Sequence, residues 1–162
     1  MSNLEALRDE IQRLTLYTRL PSRLEEMYPD IAALQKQDKT GVLDRLEAIR
    51  FTLGNRDLGS VIDLGGNSGY FCLSLIDAGM ISKATVYDMA GDALAAGRLM
   101  AQEMGIGDRI TFVKQRIDFD FLRSLPCVDS IFCLYLLHHA GTLFDTERVR
   151  RDGWERYAED WL

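Results

Sequence analysis

Residues 61 to 71 read Val-Ile-Asp-Leu-Gly-Gly-Asn-Ser-Gly-Tyr-Phe, and few folds accommodate such a run. It opens apolar, as a strand buried on both faces does, turns over the glycines at 65, 66 and 69, and re-enters an apolar segment from Tyr70 to Ile76. The reading is strand, glycine turn, helix. Glycines without Cβ atoms let the backbone approach a ligand closely, and the amides opening the next helix offer donors to its polar groups. A nucleotide-like cofactor suits such a turn.

From residue 60 onward strands alternate with helices. Strands are expected over 60–64, 84–88, 110–114 and, as a long apolar run, 128–136; helices are expected over 70–78, 92–104 and about 120–124. Leu94, Ala95, Leu99, Met100 and Met104 form the inward face of the second of these helices. Regular alternation of this kind implies an α/β protein with a doubly wound, mostly parallel sheet and helices on both faces. A last helix is expected over 146–162, strained at Gly153, with Trp154, Tyr157 and Trp161 as core or interface contacts covering the fourth strand.

The N-terminal third is helical in pattern. Leu4, Leu7, Ile11, Leu14 and Leu16 predict an amphipathic helix within 3–20 that Pro21 ends, with Ser22 as the next cap. A second helical segment over 23–37 is interrupted at Tyr28-Pro29. Thr40 is the expected cap of a third over 42–53, whose apolar face is Val42, Leu43, Leu46, Ile49 and Leu53. The chain thus divides into a helical layer, residues 1–56, and a sheet-containing part, residues 57–162.

A formal net charge of −6 disfavours a broad electrostatic grip on nucleic acid. No apolar run reaches the ~20 residues that span a bilayer, and the N-terminus lacks the layout of a secretion signal, so a cytoplasmic protein is expected. The three cysteines, Cys72, Cys127 and Cys133, lie in apolar surroundings without metal-ligand spacing and read as reduced, core-packing thiols.

The turn Asp63, Gly65, Gly66, Asn67, Gly69 resembles the first motif of class I S-adenosylmethionine-dependent methyltransferases, acidic-x-Gly-x-Gly-x-Gly, with Asn67 at the middle glycine. Asparagine also tolerates positive φ there. Leu136-Leu137-His138-His139 is similar to the fourth motif of small-molecule members. The resemblance covers residues 61 to about 139. It implies a Rossmann-like sheet of order 3-2-1-4, S-adenosyl-L-methionine as cofactor and methyl transfer to a small-molecule acceptor. The helical layer is then either a cap over the acceptor end of the pocket or simply a layer packed on the sheet. The glycines do not supply GxGxxG spacing, which ranks a nucleotide-dependent oxidoreductase last.

The same resemblance puts Asp63 near the methionine portion of the cofactor; taken alone, Asp63 reads equally as a carboxylate capping the turn. Asp88 ends the second strand one βαβ step later, where an acid accepts both ribose hydroxyls, or serves only as a helix cap or solvated strand end. Met89 or Ile117 packs on the adenine faces, and the acid that meets its amino group in the family is here either Asp118 or missing. His138 would orient or deprotonate an acceptor hydroxyl, against a plain packing role for the histidine pair. No third ligand accompanies the histidines, so no metal is expected.

A methyltransferase domain of this class has seven strands, and four are read here. Strand four would then present an open apolar edge. That implies either a piece of a longer protein or a homo-oligomer in which a partner chain covers the edge. The second functional reading is therefore a non-catalytic cofactor-binding or oligomerisation module.

Overall fold

The structure is a computed structural model describing residues 2–13, 18–134 and 136–161. Its sheet is built around β1 (Ser60–Leu64), the apolar run that opens the glycine turn. β1 pairs in parallel with β2 (Lys83–Asp88) on one side and with β4 (Ser130–Phe132) on the other. β3 (Ile110–Lys114) pairs with β2, and the order is β3-β2-β1-β4. This is the order the resemblance implies.

Alternation along β1 decides how the two faces are covered, because successive side chains leave a strand on opposite sides. Val61 joins the large core with Val86 and Phe112, under α5 (Tyr70–Asp77) and α6 (Gly91–Glu103). Ile62 and Leu64 point the other way, into a second cluster with Ile117, flanked by Phe121 of α7 (Phe119–Arg123). In α6 the most deeply buried positions are Ala93, Leu94, Ala96, Gly97, Met100 and Ala101, while Ala95 and Leu99 are only half-buried. Gly97 is required there, since an added Cβ would collide with the Phe112 ring and the carbonyl of Ser68.

The helical layer packs on the α5 and α6 side. It comprises α1 (Asn3–Arg13), α2 (Ser22–Met27), α3 (Pro29–Ala32) and α4 (Val42–Leu53). Leu7, Ile11, Leu24, Ile31, Val42 and Leu46 enter the same cluster as α5 and α6. Polar ties reinforce this contact: Tyr28 Oη donates to Glu103 at 2.7 Å, and Arg23 pairs with Asp77 at 3.0 Å. Leu14 and Leu16 of the expected first helix lie outside the described residues. Ser22 is the first residue of α2, not its cap, and Pro21 precedes it. At the next helix the capping is done by Asp38, not Thr40: its carboxylate accepts the Leu43 amide at 3.0 Å and the Thr40 amide at 2.9 Å. Leu43 itself faces solvent.

The greatest departure from the sequence pattern is β4. Only Ser130–Phe132 forms strand, and Ile131 is 52% exposed. The reason is the absence of a partner. Phe132 lies opposite Asp63, and one residue later β1 ends at the glycine turn, so the apolar residues beyond have no ladder to join. Leu137–His139 forms a 3₁₀ turn instead. Cys127 and Cys133 fall in this exposed region and only Cys72 is a core thiol, which corrects the expectation of three buried cysteines.

The expected last helix is two, α8 (Thr146–Asp152) and α9 (Trp154–Trp161). Gly153 separates them with φ 80°, ψ 154°, a backbone state natural only to glycine. Tyr157 is fully buried, with Phe119, Ala140 and Phe144, and Trp161 packs against this cluster and against that of Ile62 and Leu64. Trp154 stays exposed. Among the described residues no helix is long and apolar enough to cross a membrane.

Candidate functional site

At the carboxyl edge of the sheet lies a cavity of about 630 Å³, where open parallel sheets place their ligands. Its floor is the glycine turn. The Gly65 amide donates to the Tyr87 carbonyl at 2.8 Å, which pins the turn to β2, and Gly65 itself has φ 75°. A Cβ at Gly66 would stand 2.5 Å from Asp63 Oδ2 and 2.7 Å from Val86 Cγ1, so only glycine fits. Asn67 adopts φ 53°, in the left-handed region. Its side-chain Oδ1 accepts the Thr18 hydroxyl at 3.0 Å. Thr18 is buried, and this bond fastens the segment ahead of α2 to the glycine turn.

Asp63 and Asp88 both line the cavity from neighbouring strand ends. They differ in environment. Asp63 is 2% exposed and its recorded side-chain partner is the Cys72 thiol, at 3.6 Å from Oδ2. Burial above all, with a contribution from the charge of Asp88, pushes its carboxyl up to about 7, against the opposing effect of the thiol bond. Asp88 is half-buried, and each of its oxygens accepts a backbone amide: Oδ2 from Asn67 at 2.7 Å and Oδ1 from Ala90 at 2.8 Å. One carboxylate thereby shapes the glycine turn and the entry to α6.

Beside Asp88 the wall is formed by Met89, Gln115, Arg116 and Ile117. Ile117 is buried and Met89 is exposed toward the cavity mouth. The Gln115 amide donates to the Asp88 carbonyl at 2.9 Å, which joins this wall to the second strand. On the far side stand Leu134 and Leu136, then His138 and His139, whose ring centroids are 3.8 Å apart, and finally Leu143 and Phe144. Tyr70 and Phe71 of α5 and Val42 and Arg45 of α4 close the remaining side.

Asp63, Gly65, Gly66, Asn67, Asp88, Met89, Ile117 and His138 are thus brought together around one cavity. Gly69 and Asp118 do not line it. Gly69 is the residue before α5, with φ 71°, packed under Val86 and Phe112. Asp118 caps α7, its Oδ1 accepting the Phe121 amide at 2.9 Å, so its carboxylate is engaged in holding a helix. His138 belongs to the 3₁₀ turn and not to a strand end.

Sequence reasoning passed over Thr18, Arg45, Tyr70, Phe71, Gln115 and Phe144. Tyr70 and Phe71 had a signal, since they follow the glycine turn directly. Gln115 stands two residues before the candidate Ile117, while Thr18, Arg45 and Phe144 arrive from distant segments and carried none. Among the described residues no group of three His, Cys, Asp or Glu side chains is placed to hold a metal ion.

Neither a protein-family model nor a curated protein sequence matches the chain. Solved structures do. The C-terminal domain of precorrin-6Y C5,15-methyltransferase from Rhodobacter capsulatus superposes with a TM-score of 0.53 at 15% identity, covering 85% of this chain and 66% of that one. The YcgJ protein of Bacillus subtilis gives 0.47 at 23% identity, over 60% of this chain and 40% of its own. A methyltransferase from Geobacter sulfurreducens, solved with S-adenosylhomocysteine, gives 0.43 at 23% identity, over 60% and 37%. The chain spans less than half the length of the last two. With its strand order and the first of these matches, the chain has the fold of class I methyltransferases.

Proposed function

We propose that this chain binds S-adenosyl-L-methionine and transfers its methyl group to a small-molecule acceptor. The observation that carries the reading is the convergence of Asp63, the glycine turn and Asp88 on one cavity at the carboxyl edge of a 3-2-1-4 sheet. The cavity fits such a group. Its volume suits an adenosyl-sized ligand plus a small partner, and Gly65, Gly66 and Asn67 of the turn line it together with both acids.

In this reading Asp88 accepts the ribose hydroxyls, using the oxygen lone pairs that remain beyond its two amide bonds. Met89 and Ile117 bury the adenine faces. Gly65, Gly66 and Asn67 let the backbone approach the sugar and sulfur, and Asp63 lies beneath the methionine portion. When bound, the cofactor supplies an electrophilic methyl group. The residues of the chain then have mainly a positioning task, holding the acceptor in line with that methyl and excluding water. His138 would hold, and then take up, the proton that an acceptor hydroxyl gives up. A cytoplasmic setting is part of the proposal, and three cysteines without disulfides support it.

Calorimetric titration with S-adenosylhomocysteine tests the reading. Binding is expected in the parent, and Asp88→Asn, which retains an acceptor for a loop amide but loses the charge, is expected to weaken it roughly 10- to 100-fold. No binding by the parent rejects the reading.

A second reading, a binding module completed by another copy, is favoured by β4. Among the described residues that strand pairs with β1 alone, and Ile131 within it and Cys133 just after it are exposed. Light scattering during size-exclusion chromatography separates the two, since a monomer is incompatible with completion by a second copy.

A further inference from the structure

The two sides of the cavity differ in chemistry. The β1, β2 and β3 side contributes polar groups, Asp63, Asn67, Asp88, Gln115 and Arg116. The opposite side is mostly hydrocarbon: Val42, Phe71, Leu134, Leu136, Leu143 and Phe144. Phe144 is buried, while Leu143 lines the cavity and is still 70% exposed, an apolar side chain at the mouth that a bulky apolar guest would cover. Among the described residues the polar side chains on this side are Tyr70, Arg45, His138 and His139. Tyr70 is buried. Arg45 donates from Nε to the Gly41 carbonyl at 3.2 Å and from Nη2 to the Thr40 carbonyl at 3.1 Å, and its guanidinium lies 5.7 Å from the centroid of the Phe71 ring. The two histidine rings lie side by side.

Such a wall selects against most hydroxyl-bearing molecules. A sugar or other polyol would bury several hydroxyls against Val42, Leu136 and Phe144 without partners, at a cost for each one. An aliphatic alcohol meets the hydrocarbon well but holds its proton too tightly. Its hydroxyl loses the proton near the value for water, about 16, whereas a phenol does so near ~10 and imidazole ordinarily titrates near ~6.5. Transfer to a histidine is thus far less uphill from a phenol. Resting on the functional reading above, we infer that the acceptor is an apolar aromatic molecule methylated on a phenolic hydroxyl, with its ring against Phe71, Phe144 and Leu143 and its hydroxyl at His138. Aromatic and aliphatic walls both suit such a ring. In the transfer the phenol oxygen uses a lone pair to bond the methyl carbon, displaces sulfur with the electrons of the broken carbon-sulfur bond, and gives its proton to an imidazole nitrogen of His138.

Three probes test this on the full chain: 2-naphthol, its saturated counterpart decahydro-2-naphthol, and glucose. Calorimetric titration into protein saturated with S-adenosylhomocysteine is expected to show binding of 2-naphthol and none of glucose. Leu143→Asp, a change at an exposed position, is expected to weaken 2-naphthol roughly 10-fold or more and to leave S-adenosylhomocysteine within about twofold of the parent. With S-adenosylmethionine, 2-naphthol should yield its methyl ether by mass spectrometry and decahydro-2-naphthol should yield none. His138→Ala is expected to bind 2-naphthol within about twofold of the parent and to form the ether roughly 100- to 10,000-fold more slowly. The inference is overturned if the saturated protein does not bind 2-naphthol, binds it as tightly after Leu143→Asp, binds glucose equally well, or binds 2-naphthol without forming the ether. It is equally overturned if the saturated alcohol is methylated at a similar rate. Each of these leaves cofactor binding intact, whereas failure of the parent to bind S-adenosylhomocysteine overturns the functional reading as well.

Discussion

The Cys72 thiol donates to Asp63 Oδ2 across 3.6 Å in the protein interior, beneath a cavity on whose lining the same carboxyl lies. A thiol is a weak donor, and it does not offset the burial that pushes this carboxyl up to about 7. Unfolded, the group titrates near 3.9. Between these values the folded state holds a proton that the unfolded state has lost. The resulting stabilisation is complete below about pH 4 and disappears progressively as the pH rises to about 7. Its size is on the order of 4 kcal/mol. Asp63→Asn, which still accepts from Cys72, is expected to remove this slope. Urea denaturation of parent and variant at pH 4.5 and pH 8 measures it: the variant should gain relative to the parent at the higher pH. An identical difference at the two pH values would refute the claim.

Gly66→Ala would place a methyl 2.5 Å from Asp63 Oδ2 and 2.6 Å from its Cγ. Overpacking of this kind costs about 1–3 kcal/mol, and the backbone shift that relieves it would move the Asn67 amide away from Asp88. Thermal unfolding should show the loss of stability. A variant as stable as the parent would mean that the turn is looser than its geometry states.

The Thr18 hydroxyl bonded to Asn67 Oδ1 at 3.0 Å fastens the helical layer to the glycine turn. Thr18→Val is expected to cost about 1 kcal/mol. Asn67→Gly keeps the positive φ accessible and removes the same acceptor, so a double-mutant cycle between the two should give a coupling near 1 kcal/mol. Additive effects would show that the tie contributes nothing.

Tyr157 is the centre of the C-terminal cluster. Its hydroxyl donates to Asp145 Oδ2 at 2.6 Å and accepts the Trp161 indole N–H at 2.6 Å. Burial, then the bond to Asp145, raises its pKa, so it stays a neutral donor. Tyr157→Phe leaves the indole N–H unpaired and removes a bond from Asp145, which also holds the Phe119 amide at 2.9 Å. A loss of about 1–3 kcal/mol is expected in chemical denaturation; a neutral effect would indicate that water replaces the hydroxyl.

Much of this architecture was legible in the chain because it is written in local chemistry. The alternation after residue 60 located β1, β2 and β3 to within a residue, and the run through Gly69 gave the strand, turn and helix that follow. The two acids could be placed at one sheet edge because a βαβ step returns the chain to the same side. What failed depended on partners. Hydrophobicity marked 128–136 as a strand, but a strand also needs a neighbour, and β1 ends at Leu64, one residue past the Asp63–Phe132 pair. Asp118 looked like a ligand residue because its side chain is charged and near β3, yet an acid one residue ahead of a short helix caps it. Arg45 had no signal at all: a single arginine on an amphipathic helix is ordinary, and only the packing of α4 against Phe71 brings it to the cavity.

The two amide bonds at Asp88 have an evolutionary corollary. Because the same oxygens that would meet a sugar also set the loop and launch α6, this position is closed to gradual retuning: exchanging it for a basic or apolar residue, which accepts neither amide, would dismantle the turn before any new preference could be selected. Divergence toward other guests must therefore proceed through neighbours free of that double duty, Met89 and Gln115 first among them.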